Sequence, residues 1–375
     1  MKYLLPVLFL SFFFQSTVLC QDRNQLKEEI DKTIFFDTEI SHEKIPGFTL
    51  GIIFQDSVFI YHYGTRSRKS NTLLNDSSLF EIGSITKTFT ASLVSILVEE
   101  NLLSYDSTFN SYLDKKYRNE HFDTLTIRHL IQHTANLPKM PIDFGAHEKD
   151  LNNPYAHYSK KQLLHFYKDY QPIPLEKEDS KYKYSNVSYG LLEIAIEKAS
   201  GEDYEVLLQE RILGPMRMDH TFTTSLNKKK SSQKITTGYS RSGKKVPHRE
   251  FKSFSASEGL KSNVTDLLTY LKLHLGLIET PYDSLFNDNT SPKINTGMSD
   301  NAFMGHGWHV IKLKKYYNVI LHSGSSSGHR AFIGFVKETQ TGVVLLSNSE
   351  SGTGGLGYLV LRLINYNWKK DKKDR

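Results

Sequence analysis

Apolar positions change their spacing along the chain, and the change divides it into strand-rich ends and a helical middle. From Gly47 to Gly64, "GFTLGIIFQDSVFIYHYG" holds two β-branched and aromatic runs parted by Gln55-Asp56, the pattern of a two-stranded hairpin. After Gly83 the period lengthens. In "SITKTFTASLVSILVEENLL", Phe89, Leu93, Ile96 and Leu97 fall on one side of a predicted long helix. Helical spacing persists from Leu125 to about Leu208, with loops at "NLPKMPIDFGAHEKDLNNP" and "YQPIPLEKEDSKYKYSN". "SYGLLEIAIEKASGEDYEVLLQERIL" predicts two short helices hinged at Gly201, and "SNVTDLLTYLKLHLGLI" another, capped by Ser262 or Asn263. "WHVIKL", "YNVILHSG", "RAFIGFVKE" and "GVVLLSN" then predict an antiparallel meander, and "GGLGYLVLRLINYNW" a closing helix. The expected fold class is α+β: an antiparallel sheet from about 21–80 and 301–375, flanked by helices, with a mostly helical region at about 81–300.

The first residues read differently. Lys2 precedes the apolar run Leu4 to Phe14, which is shorter than the roughly 20 residues of a membrane span. A charge, a short apolar core and a polar break are the marks of a secretory leader. Residues 1–20 are expected to be that leader, cut ahead of Gln21, which makes the protein periplasmic or secreted. Cys20, the only cysteine, could instead carry a lipid and tie the protein to a membrane, but Leu19 is bulky for that processing. If Cys20 leaves with the leader, no thiol chemistry remains.

Composition adds exclusions. Hydrophobic residues at 38% and charged residues at 23% are ordinary for a globular chain. A net charge of +6 is modest for 375 residues, and no zinc-finger spacing or arginine-rich helix accompanies it, so no nucleic-acid partner is expected. Residues 225–252 form a basic segment whose single acid is Glu250, expected to be a solvated loop. His129 and His133 stand at i and i+4, but "HLIQH" lacks the glutamate of a zinc-hydrolase helix, and no metal or cofactor is expected.

"HSGSSSGHR" (322–330) contains a G-x-S-x-G, the turn that presents a nucleophile in α/β-hydrolases. That reading requires an acid and then a histidine further along the chain. Only His329 follows, three residues after Ser326, and the only later aspartates lie in a lysine-rich tail. The motif is accidental. An activated serine needs a base within reach, and S-x-x-K on a helix supplies one. The pattern recurs at Ser41, Ser84, Ser180, Ser225, Ser231 and Ser242, but only Ser84-Ile85-Thr86-Lys87 opens a long apolar helix directly after a glycine. There Ser84 meets the positive helix end, and burial makes the Lys87 amine usable as a base. Tyr184-Ser185-Asn186 offers a second proton carrier: a phenol beside a lysine cation is expected to lose its proton more easily, and Asn186 can meet a substrate amide. Tyr316-Tyr317-Asn318 matches the same pattern, but Tyr184 lies in a polar loop just ahead of a helix.

Taken together, "FEIGSITKTFTA", "LTIRHLIQHTANLP", "YSNVSYGLLEIAIEKASG" and "HSGSSSGHRAFIGFVKETQTGVVLLSN" resemble serine hydrolases of the class C β-lactamase and penicillin-binding-protein family, from about Pro46 to about Asn348. The resemblance implies a β-lactamase/transpeptidase-like fold with its site between sheet and helices. It implies Ser84 as nucleophile, Lys87 and Tyr184 sharing the base and acid roles, and Asn186, His322, Ser323 and Gly324 as substrate contacts. The backbone N–H groups of Ser84 and Ser325 would form the oxyanion hole. A peptide or other small molecule, in some members cell-wall derived, is the implied substrate: a D-alanyl-D-alanine carboxypeptidase or D-amidase reaction first, an esterase or β-lactamase reaction second. A penicillin-binding sensor without turnover is the reading from another class. Three departures from the family pattern stand out. Ala135-Asn136 replaces a common Ser-Gly, and asparagine tolerates the same left-handed turn. Glu258 and Lys261 replace smaller or uncharged residues, which is expected to alter the cleft rim. His322 stands where many class C β-lactamases have lysine, which points away from a dedicated β-lactamase.

Overall fold

The two strand-patterned ends of the chain meet in one sheet. The computed structural model describes residues 24–34, 36, 44–54, 57–146, 153–173, 181–223, 235–313 and 317–373. The expected leader, residues 1–20 with Cys20, lies outside the described residues. The chain divides into two units, Met1–Ser41 and His42–Arg375. In the first, a helix over residues 24–34 (α1) carries exposed ion pairs such as Lys32–Glu28 at 2.9 Å.

In the second unit, β1 (Gly47–Phe54), β2 (Ser57–Ser67) and β3 (Ser70–Leu73) come from before the helical region. A two-stranded ribbon pairs β4 (Phe80–Glu81) with β5 (Lys261–Ser262). The remaining strands are β6 (Ile294–Asn295), β7 (Ala302–Met304), β8 (His309–Leu313), β9 (Tyr317–Ser326), β10 (His329–Val336) and β11 (Thr341–Ser347). Among the described residues the large sheet has nine strands in the order β3-β2-β1-β11-β10-β9-β8-β7-β6. Its pairs are antiparallel, and β11 lies between β1 and β10, in register from Phe48↔Ser347 to Phe54↔Thr341 and from Arg330↔Ser347 to Val336↔Thr341. Every residue of β11 is buried. A fully buried Val or Leu contributes about 1.5–3 kcal/mol, so Val343, Val344, Leu345 and Leu346 make this strand the hub of the sheet.

The helices of this unit are α2 (Thr86–Glu99), α3 (Ile127–Ile131), α4 (Lys160–Asp169), α5 (Asn186–Ser200), α6 (Tyr204–Leu208), α7 (Ser255–Glu258), α8 (Val264–Leu275), α9 (Asp283–Asn289) and α10 (Leu356–Lys373). Helix α8, capped by Asn263, packs on β1, β10 and β11, and α10 also packs on β10 and β11. The periodicity of α2 predicts one apolar face, yet the helix is buried all round from Thr86 to Leu97. Its polar side chains bond locally, to tyrosines, or to groups of distant segments such as the Ala256 carbonyl and Asn289. Ser92 Oγ donates to the Thr88 carbonyl, and Thr90 and Ser92 hydroxyls pair with Tyr204 and Tyr270. A satisfied hydroxyl can be buried where the hydrophobic period alone would expose it.

Where it is described, over residues 235–252, the basic segment is anchored at its start, and from Arg241 to Lys245 it is the expected solvated loop, with Arg241, Lys244 and Lys245 exposed. Thr236 and Tyr239 are buried, Thr236 N–H donates to the Leu79 carbonyl at 2.9 Å, and the Tyr239 hydroxyl accepts from the Arg68 N–H at 2.8 Å. Backbone pairing and aromatic burial hold the start of the segment while its lysines stay in solvent.

Candidate active site

Ser84 lies in the 3-10 turn Gly83–Ile85, which runs directly into α2. Gly83 has φ +50°, and a Cβ there would stand 2.7 Å from the Ser325 nitrogen and 2.6 Å from its oxygen. A Cβ on Gly324 would stand 1.9 Å from the Ile82 oxygen. Only glycine admits such approach, so the end of β9 is pressed against the turn that carries Ser84. One helical turn on, Lys87 is fully buried, and its Nζ donates to Ser84 Oγ at 3.2 Å and to the Ser257 carbonyl at 3.0 Å. Burial brings the amine from its usual range down to about 7, against the opposing charge of Glu258. Near neutrality this side chain can accept the proton of the hydroxyl it touches.

Tyr184 is clamped by the segment after α3. The backbone of His133, at φ 59°, accepts from the Lys183 N–H at 2.8 Å, and its ring Nδ1 accepts from the Ser185 N–H at 3.1 Å. Asn136 takes φ 51° in the same turn. Ser185 Oγ donates to the Pro138 carbonyl at 2.7 Å and accepts from the Ser188 N–H at 3.0 Å, capping α5. The Tyr184 ring is thus held with its centroid 5.0 Å from Lys87 Nζ and 4.5 Å from that of His133. Burial pushes the phenol up, opposed by a hydrogen bond with Ser84 and reinforced by the charge of Glu258. The expectation that Lys87 eases the phenol towards phenolate is corrected: burial and the charge of Glu258 raise the phenol more than its hydrogen bond with Ser84 lowers it, and the hydroxyl keeps its proton.

Strand alternation turns His322, Gly324 and Ser326 towards the helical layer and leaves Ser323 exposed. His322 is buried, its Nδ1 donates to the Ser323 carbonyl at 2.8 Å, and its ring lies 6.4 Å from that of Tyr184. Burial, with His309 and Lys87 nearby, holds the imidazole well below its usual range and therefore neutral. Asn186 Nδ2 donates to Glu258 Oε1 at 3.0 Å and to Met140 Sδ at 3.4 Å, so both amide hydrogens are engaged within the protein.

Glu258 is therefore not a rim residue. Its Oε1 also accepts from Ser84 Oγ at 3.4 Å, while Oε2 accepts from the Tyr155 hydroxyl at 2.8 Å and from Arg249 Nη1 at 2.9 Å. Its last-turn position on α7 is fixed from below, where the Ala256 N–H donates to Glu193 and the Ala256 carbonyl accepts from Thr90 Oγ1. Lys261 is likewise buried, 3.7 Å from Glu81. Glu81, His248 and His329 bring ligand-type atoms within 4.8 Å of one another. Glu81 also accepts from the Arg249 N–H and from Ser326 Oγ. Burial alone would raise its carboxyl, but His248, His329 and Lys261 outweigh that and hold it well below the usual range. With Lys261 and these donors the cluster answers the carboxylate's charge from the protein itself, and it braces β4 and β9 behind Ser84.

A beta-lactamase family model matches residues 30–362, nearly the whole chain. The chain belongs to the beta-lactamase family. It is similar to a beta-lactamase of Providencia stuartii, with 25% identity over 86% of each chain, and to one of Escherichia coli K12, with 21% identity over 86% of this chain and 89% of that one. It is also similar to Protein flp of Staphylococcus aureus, at 24% identity over 88% of this chain and 64% of the other. Among solved structures, an octameric penicillin-binding protein homologue from Pyrococcus abyssi superposes with a TM-score of 0.76 at 25% identity, covering 91% of this chain and 77% of that one. The fold is therefore that of the beta-lactamase-family serine hydrolases. In this member, Tyr155, Arg249 and His133 join the site without having been singled out for it in the sequence. Tyr155 and Arg249 come from segments with no regular period. The one signal available was Glu258, a carboxylate set in the apolar and small-residue stretch "SASEGL", which needs donors from somewhere.

Proposed function

We propose that this beta-lactamase-family protein is an exported hydrolase of amide or peptide bonds that works through an ester on Ser84. The carrying observation is the buried Lys87 amine, brought to about 7 and 3.2 Å from Ser84 Oγ. In this reading neutral Lys87 takes the hydroxyl proton as Ser84 Oγ bonds to the substrate carbonyl carbon, whose oxygen is met by the N–H groups of Ser84 and Ser325. Each such donor is typically worth about 10²–10³ in rate. As the carbon–nitrogen bond breaks, Tyr184, held protonated, gives its proton to the departing amine and is reprotonated from Lys87. Water then adds to the ester, yields a proton to the same pair, and the carboxylic acid leaves as Ser84 recovers its hydrogen.

An uncharged β9 edge supports neutral amides, such as D-amino-acid amides, over lactams or peptides that place a carboxylate there. His322, Ser323 and Gly324 present no cation there, since burial keeps His322 neutral. The export proposal rests on the leader pattern, and mass spectrometry of the mature protein is expected to begin at Gln21. The purified protein should be labelled by a fluorophosphonate at Ser84, with Ser84→Ala unlabelled, and should release product from peptides ending in D-alanyl-D-alanine or from D-amino-acid amides. Turnover of nitrocefin or of short esters alone would move the assignment to those reactions. Labelling by fluorescent penicillin without any turnover would mark a sensor.

A further inference from the structure

The carboxylate of Glu258 lies on the nucleophile itself, and the hydrogen bonds around it change during the reaction. Its Oε2 is filled by Tyr155 at 2.8 Å and Arg249 at 2.9 Å, whereas Oε1 is held by Asn186 at 3.0 Å and by Ser84 Oγ at a longer 3.4 Å. Once Ser84 is acylated its Oγ carries no hydrogen, so Oε1 loses that donor in the intermediate that must then be hydrolysed. Asn186 cannot compensate: both its amide hydrogens are in use, and its Oδ1 is buried without a partner. With Asn186 as its one remaining donor, Oε1 has acceptor capacity free beside the acyl group, and the substrate is placed to fill it. A substituent on the carbon next to the attacked carbonyl lies about 2.5 Å from the carbonyl carbon by ordinary bond lengths. That carbon is bonded to Ser84 Oγ, so the substituent falls on the same scale of distance at which Oε1 stands.

Resting on the acyl-transfer reading given above, we propose that Glu258 Oε1 binds a free ammonium on the α-carbon of the acyl group, making this an enzyme for unblocked α-amino acyl substrates. An ammonium brings three donors and no acceptor, which suits a site whose nearest free capacity is an acceptor. The same carboxylate repels acyl groups bearing an anion there. An N-acylated substrate fares badly for a different reason. It keeps one N–H for Oε1 but loses the positive charge, and its added carbonyl oxygen needs a donor that Asn186 does not have to spare.

The test compares acyl groups and needs no variant to begin. Alanine p-nitroanilide in both enantiomers, N-acetylalanine p-nitroanilide and propionyl p-nitroanilide are assayed, and then the corresponding methyl esters. A charge-assisted hydrogen bond predicts that kcat/KM for the free-amine compound exceeds that of the propionyl and acetyl compounds by about 10- to 100-fold. The preference should hold for anilides and esters alike, because the acyl part is common to both. Glu258→Gln should cut that ratio by at least about tenfold, while an unchanged circular dichroism spectrum reports that the protein is still folded. Equal rates for free and blocked acyl groups would overturn the proposal while leaving the hydrolase reading intact. A preference confined to anilides would put Glu258 on the leaving-group side and overturn it too. Esters turned over with the free-amine preference, but no anilide, would support the ammonium subsite and defeat the amide reading.

Discussion

Lys87 and Tyr184 divide the proton work because burial acts oppositely on a cation and on an acid. Desolvation brings the Lys87 amine down to about 7 from an ordinary 10.5 and pushes the Tyr184 phenol up. Below about 7 the amine is an ammonium and cannot accept the Ser84 proton, so kcat/KM on a neutral ester should climb as pH rises through that value and then level. A profile that falls across neutrality would remove Lys87 as base. The same shift has a stability sign. Between about 7 and 10.5 the unfolded chain binds a proton that folded Lys87 lacks, so this residue's penalty shrinks as pH rises. Lys87→Met should therefore abolish labelling of Ser84 while holding or raising the melting temperature at neutral pH. Tyr184→Phe removes a proton donor rather than a base. It should lower kcat on anilides by about 10²–10⁴, and far less on p-nitrophenyl esters, whose leaving group departs without a proton. Ser84 and Lys87 were legible because one helical turn fixes their distance. Tyr155 reaches Glu258 from 103 residues away and Arg249 from nine, both out of segments with no regular period, so the group was legible only as a carboxylate in need of donors.

Elements place these groups through two backbone contacts that the sequence marks only as glycine. Gly83→Ala would force a Cβ to 2.7 Å from the Ser325 nitrogen at φ +50°, parting β9 from the turn before α2. The fold should survive, but kcat should drop by about 10²–10³, the worth of one oxyanion donor, with KM much less affected. Unchanged kcat would take Ser325 out of the oxyanion hole. At the other wall, Ser185 both caps α5 and ties the Tyr184 loop to Pro138. Ser185→Ala should cost about 1 kcal/mol by chemical denaturation and loosen Tyr184 as well. Strand and helix periods made the meander and α5 readable in advance. Local spacing could not reveal the complete burial of α2 or the packing of 235–252, since both depend on hydrogen-bond partners supplied by distant tyrosines and backbone.

At the scale of the whole second unit, the sheet is joined by its last strand in the chain. Gly47 N–H donates to Asn348 Oδ1 across 301 residues of chain, and β1 has no partner on that side until β11 has been made. Without β11, β1 and β10 would each expose a long, buried-type edge ready to pair with another chain. The same gap would leave β10 and β9 without the strand that braces them, and β9 is what presses on Gly83. The site should thus depend on residues that never touch it. A chain stopped at Gln340 is expected to aggregate and to show no fluorophosphonate labelling, although Ser84, Lys87, Tyr184 and Glu258 are all present. Leu345→Asp, in the middle of β11 and 1% exposed, should do nearly the same by burying an unpaired charge, at several kcal/mol. Leu359→Lys, on α10 and 40% exposed, should leave labelling and solubility as they are. Soluble, labelled protein from the stopped chain would show that the rest of the unit builds the Ser84 site and that β11 only covers it.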